Sequence, residues 1–118
     1  MQVTGRAFIK HNGQLFRSQN GAKLMYGNNE RTTVIGDNGV HGFTEKPGEP
    51  KIECTVSHTA ETSLEELAAI TDASITFETD TGKVYIVRNA WLANSLELTA
   101  NENGELPLEF AGMSCEEV

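Results

Sequence analysis

Apolar residues recur at every second position in short runs along most of this chain, a pattern that predicts strands separated by turns. Lys51–Ser57 alternates most cleanly, with Ile52, Cys54 and Val56 on one face and Lys51, Glu53, Thr55 and Ser57 on the other. Ile75–Thr79 alternates in the same way. Asp80-Thr81-Gly82 supplies a turn, and Lys83–Leu92 follows as a β-rich run carrying Val84, Tyr85, Ile86, Val87 and Trp91. Near the start, Gly5–Lys10 and Gln14–Arg17 flank Asn12-Gly13, a dipeptide suited to the positive φ angles of a tight hairpin turn. Ala22–Tyr26 fits another short strand. Ser95–Thr99 and Leu106–Ala111 fit a last pair across Asn101-Glu102-Asn103-Gly104. Pro107 has no N–H to give a ladder, so its strand belongs at an edge or a bulge.

One helix breaks the β pattern, over about residues 63–70. Ser63-Leu64-Glu65-Glu66 fits a capping box: Ser63 caps an early N–H and Glu66 reaches back to the Ser63 N–H. Leu64, Leu67 and Ala68 form its apolar stripe. At about two turns it needs tertiary packing to persist. Between Gly27 and Glu49 the chain is polar and punctuated by glycine, with candidate strands at Thr32–Ile35 and Val40–Thr44 around Gly36-Asp37-Asn38-Gly39. A structureless loop of that length is uncommon, so residues 27–49 are expected to form an extended hairpin arm. The total is roughly eight strands: a mainly β protein, an antiparallel sandwich or barrel with one short accessory helix. With no repeat and no linker, residues 1–118 are expected to be a single domain.

Composition removes several functions. No apolar run reaches the length of a membrane span, and the N-terminus lacks a signal-peptide core, so the chain is expected to be cytoplasmic when synthesised. A net charge of −8 argues against binding nucleic acid through its phosphates. The charge is unevenly placed. Residues 1–51 hold seven cations and four carboxylates, a net +3, whereas residues 52–118 hold two cations and thirteen carboxylates, a net −11. These charges either intermix on one folded surface or let the basic part of one copy meet the acidic part of another. His11, His41 and His58 fall at separate turns or strand ends, without metal-ligand spacing, and no cofactor is expected. Cys54, inside an alternating strand, reads as a small buried apolar residue, and Cys54 and Cys115 form no C-x-x-C pair. Asp72, Glu78 and Asp80 read as a solvated polar face rather than a calcium loop or a catalytic pair. Trp91, ending the longest strand, reads as a core aromatic. No nucleophile elbow or phosphate loop is present, so the chain is not expected to be an enzyme.

The order of segments resembles the Mu-like family of phage tail tube proteins. The resemblance rests on Gly5-Arg6-Ala7-Phe8-Ile9 before Asn12-Gly13, Arg31-Thr32 and Gly36 before His41-Gly42-Phe43, and Lys46-Pro47 with Pro50-Lys51-Ile52-Glu53-Cys54. It continues through Ser63-Leu64-Glu65-Glu66-Leu67, Ile75-Thr76-Phe77-Glu78 with Asp80-Thr81-Gly82, and Asn89-Ala90-Trp91. These marks span about residues 5–112 and thin out after Ala93. The resemblance implies a subunit of a contractile tail's inner tube, forming stacked hexameric rings through which DNA passes without specific binding. It implies partners in further copies of the chain and in sheath, baseplate and tape-measure proteins, and a place in the virion tail after assembly in the bacterial host cytoplasm. Under it, Arg31, Lys46 and Lys51 of the arm region would meet the acidic part of a neighbouring ring. Glu53, Glu78, Glu97 and Glu109 are the candidate lumen carboxylates, since they alternate with apolar residues. The alternatives are a type VI secretion-like tube subunit and a monomeric β-sandwich module that binds carbohydrate or peptide.

Overall fold

Short alternating runs separated by turn residues become ten strands and one helix in the computed structural model, which describes residues 1–118. They are β1 (Ala7–His11), β2 (Gln14–Leu15), β3 (Lys23–Met25), β4 (Glu30–Gly36), β5 (Gly39–Lys46), β6 (Lys51–Ser57), α1 (Leu64–Ala68), β7 (Ala73–Thr79), β8 (Val84–Leu92), β9 (Glu105–Ala111) and β10 (Ser114–Glu117). All pairs are antiparallel. One sheet path runs β2-β1-β7-β8-β9-β6-β3, β10 adds to β8, and β4 and β5 pair only with each other.

The path bends back on itself and closes. β2 pairs with β1, and the chain just beyond it crosses to β6. The Ser57 N–H donates to the Arg17 carbonyl at 3.0 Å, the Gln19 N–H to the Thr55 carbonyl at 2.6 Å, and Ser18 bridges Val56. Residues 16–19 thus join the two ends of the sheet, and a small barrel results. Its interior takes the inward faces of β1, β6, β7, β8 and β9: Ile9, Ile52, Ile75, Val87, Leu106 and Phe110 are all fully buried. The Asn12-Gly13 turn has φ of 49° and 86°, as the hairpin reading requires.

A bulge in β8 reverses the expected role of Trp91. Ala73 pairs with Ala90 but Ile75 pairs with Val87, so Arg88 and Asn89 together stand opposite one residue of β7. Asn89 takes a φ of 52°, and its side-chain amide donates to Asp72 Oδ1 at 2.8 Å. The extra residue shifts the alternation by one. Val87 and Ala90 both face the core, and Trp91, in phase with Val87 by simple alternation, turns outward and is only half-buried. The core aromatics are instead Phe77 and Phe110.

Two further expectations need correction. Ser95–Thr99 is not a strand. β9 pairs along its length with β6 and, at Phe110 and Ala111, with the end of β8. The chain then turns at Gly112, where a side chain would meet Val87, and adds β10 to the outer edge of β8. The helix is also shorter than expected. Ser63 Oγ accepts from the Glu66 N–H at 3.3 Å, but no Glu66 side-chain bond returns to Ser63. Leu67 is buried while Ala68 is exposed, because after one turn the chain leaves the helix and Ile70 completes the apolar contact.

The arm projects from this barrel. A radius of gyration of 17.3 Å exceeds the roughly 13–14 Å of a compact domain this long. The longest axis is 63 Å against 36 and 27 Å for the others.

Candidate interaction surface

The arm begins where Gly27 and Gly48 cross. Gly27 has a φ of 80°, and a side chain on Gly48 would run into the carbonyls of Gly27 and Asn28. Beyond this root the strand register places Arg31, Thr33 and Ile35 on one face with Glu45, Phe43 and Val40. Ile35 is 72% exposed, Val40 71% and Phe43 59%. Three large apolar side chains mainly exposed on one face of a projecting hairpin mark a contact surface.

The arm's cations are partnered on the arm. Arg31 Nε lies 3.0 Å from Glu45 Oε1 and its guanidinium stands 5.5 Å from the Phe43 ring centre. Hydrogen bonds from Asn29 and Arg31 hold the Glu45 carboxyl below the usual carboxylate range. Lys46 pairs with Glu30 at 3.8 Å. Lys51, at the start of β6, pairs with Glu109 at 3.3 Å, and that hydrogen bond raises its pKa together with the nearby charge of Glu49. What the arm leaves uncovered is therefore apolar rather than cationic.

The charges of the two chain halves intermix. Arg6 pairs with Asp80, Lys10 with Glu78, Lys23 with Glu53 and Lys51 with Glu109, each joining the basic part to the acidic part within one copy. The four carboxylates singled out by alternation do not share one surface. Glu53 and Glu109 are direct cross-strand neighbours outside the β6–β9 sheet, where Lys23 and Lys51 offset a like-charge pair. Glu97 is exposed in the segment that runs along β9. Glu78 lies across the barrel on β7, 2.8 Å from Lys10.

One sheet edge is closed without a strand. The Ala93 N–H donates to the Glu109 carbonyl at 2.7 Å and the Thr99 N–H to the Glu105 carbonyl at 3.0 Å. Between them, the Asn94 amide donates to the Pro107 carbonyl and accepts from the Glu109 N–H, both at 3.0 Å. Thr55 bonds away from β9, to Gln19, so its partner Pro107 turns its nitrogen toward this edge, where it has no hydrogen to offer. A side chain and a proline thus occupy the edge that an incoming strand would use. Replacing Asn94 by Ala and Pro107 by Thr should reopen it. The expected result is soluble aggregates in light scattering at concentrations where the parent chain has none, with little change in secondary structure.

The histidines and the acidic residues Asp72 and Asp80 make local contacts within the fold. His11 stacks on Phe16 at 5.9 Å, His41 packs over Gly36, and the His58 N–H donates to the Gly104 carbonyl. Asp72 accepts from Asn89, and Asp80 accepts from the Gly5 N–H at 3.2 Å. Burial pushes the Cys54 thiol up to about 12 and also raises Cys115, which lies beside Glu116 and Glu117. Neither is an activated nucleophile.

The family model described as "Phage tail tube protein" matches residues 1–117. The chain is 43% identical over 117 residues to the Mu-like prophage FluMu tail tube protein of Haemophilus influenzae, covering 99% of this chain and 97% of that one. It is 32% identical over 107 residues to the tail tube protein of Escherichia phage Mu, covering 91% and 87%. Among solved structures it is similar to the tube-terminating cap of the anti-feeding prophage, with TM-score 0.69, 16% identity, and coverage of 98% and 89%. It is likewise similar to a chain of the sheath–tube complex of an extracellular contractile injection system in its extended state. There the TM-score is 0.63, the identity 13% and the coverage 96% and 88%.

Proposed function

This chain belongs to the Mu-like family of phage tail tube proteins, and on that premise we propose that it assembles into stacked hexameric rings forming the inner tube of a contractile tail. The role is structural: the tube is the conduit for DNA during ejection, and no reaction is catalysed. The observation that carries this reading is the unpartnered arm face of Ile35, Val40 and Phe43. A subunit that must reach the next ring requires such a face, and its place on a projecting arm rather than in a concave site favours contact with another copy. The sheath surrounds the tube, the baseplate starts it and the tape-measure protein fills it before ejection. Assembly takes place in the bacterial host cytoplasm and the product resides in the virion tail. The lumen-facing carboxylates are Glu53, Glu97 and Glu109, on the β6–β9 side of the barrel, with Glu78 facing away. Lys23 and Lys51 offset Glu53 and Glu109, so the unpaired Glu97 supplies the negative charge that keeps passing phosphates from sticking.

Size-exclusion chromatography with negative-stain microscopy tests the assembly. Rings or rods are expected, and a strictly monomeric species at all concentrations overturns the reading. Salt tests the force involved. Apolar docking is not screened, and salt weakens repulsion between subunits of charge −8. Raising NaCl from about 0.1 to about 1 M should therefore maintain or increase tube yield. Dissolution of the tubes at high salt would show that ionic contacts between copies, whether by Arg31, Lys46 and Lys51 or by other charges, outweigh the apolar face.

A further inference from the structure

Eight of the nine cations have a carboxylate within 4 Å; Arg17 alone has none. Arg17 borders a cleft of about 240 Å³ between the β1–β2 hairpin and α1. Leu15 and Phe16 line it from the hairpin, Leu67 and Ile70 from the helix and its end, and the carboxylates Glu61 and Glu66 stand on the helix side. The cleft lies at the Ser57 end of β6. The arm is rooted at the other end, through Pro50 next to Lys51. β6 is seven residues long, so about 20 Å separates the two. The arm tip is the Asp37-Asn38 turn between β4 and β5, and the Asp37 carboxylate has no cation partner within its own chain.

An apolar projection rooted at one end of β6, carrying an unpaired carboxylate, and a partly apolar cleft at the other end, carrying the one unpaired arginine, are complementary between copies. We infer that the arm tip of one copy seats in the β1–β2/α1 cleft of the next. Ile35 and Val40 rest against Leu15 and Phe16, and Asp37 of one copy pairs with Arg17 of the other. The inference rests on the tube reading and names the acceptor that reading leaves open. The contact is head-to-tail, so it repeats without closing and propagates along an axis. Glu61 and Glu66 on the helix side fix the orientation: the acidic tip can approach only with Asp37 toward Arg17 and away from both.

Charge reversal tests the pairing at about 0.1 M salt, where screening is moderate. Arg17→Glu and Asp37→Lys should each raise the concentration needed for tube formation by at least about tenfold, and the double variant should recover most of that loss. Both side chains are exposed and make no contact in the barrel core, so the single variants are expected to fold as the parent does. A second readout uses Arg17→Cys with Asp37→Cys in a Cys115→Ser background, with Cys54 silenced by burial. Oxidation should give a ladder of multimers on a non-reducing gel, because the two positions belong to features at opposite ends of β6 in one copy. Tubes that form normally in both single variants and give no ladder would overturn this acceptor while leaving the tube reading intact. Failure of the unmodified chain to form rings or tubes would overturn the reading itself.

Discussion

Replacing Ile35, Val40 and Phe43 together by serine is expected to abolish tube formation while leaving a folded monomer. Full burial of a large apolar side chain contributes about 1.5–3 kcal/mol, so losing three weakens each docking event by about 5 kcal/mol. At 1.4 kcal/mol per factor of ten, that is a loss of more than about a thousandfold in association. The monomer survives because β4 and β5 pair only with each other and none of the three residues belongs to the core. Far-UV circular dichroism and the melting temperature should match the parent chain, and only sedimentation and microscopy should change. Tubes at the parent concentration would show that the arm is not the docking element. Arg31→Ala and Lys46→Ala should have far smaller effects. Each removes an exposed ion pair already formed within the arm, and such pairs contribute about 0–1 kcal/mol.

Phe110→Ala is expected to destabilise the barrel by about 3–5 kcal/mol, a large share of the roughly 5–15 kcal/mol available to a domain of this kind. Phe110 is fully buried and stacks on Phe16 at a centroid distance of 6.1 Å. It also occupies the seam, paired with Ile52 of β6 on one side and Leu92 of β8 on the other. Removing the ring leaves a cavity between strands that are paired on both sides of Phe110. Urea denaturation should show a midpoint lowered by about 2 M or more. Trp91→Ala, which simple alternation would make the worse change, should cost less because Trp91 stands outside the core. A reversed order of the two midpoints would contradict the register assigned to β8.

Much of the fold is legible from local rules. The hairpin at Asn12-Gly13, the alternation of β6 and β7, the turn at Asp80-Thr81-Gly82 and the capping Ser63 each depend on neighbours a few residues away. The arm is legible too, since its strands and its turn lie within one short segment. Position in the third dimension is a different matter. The bulge at Asn89 exists because β7 and β8 must curve together, and nothing in the run Lys83–Leu92 marks where alternation breaks. The segment Ser95–Thr99 has strand-like residues, but the neighbouring edge of β9 is already filled by the side chain of Asn94, which bonds Pro107 and Glu109.

The charges divide in the same way. Composition alone established a −8 chain with a basic first part and an acidic second part. Which cations remain free was decided only by folding, because an ion pair depends on side chains brought within a few ångströms from distant positions. Arg31, Lys46 and Lys51 look available along the chain yet have partners, and Arg17 looks ordinary yet has none. By itself, then, the sequence determined a small β protein with a projecting arm. The tertiary structure decided that the barrel closes through residues 16–19, that Trp91 faces out, and that the arm offers an apolar face. Alternation and turn chemistry act over a few residues, whereas closure, register and pairing are set by contacts between segments far apart in the chain.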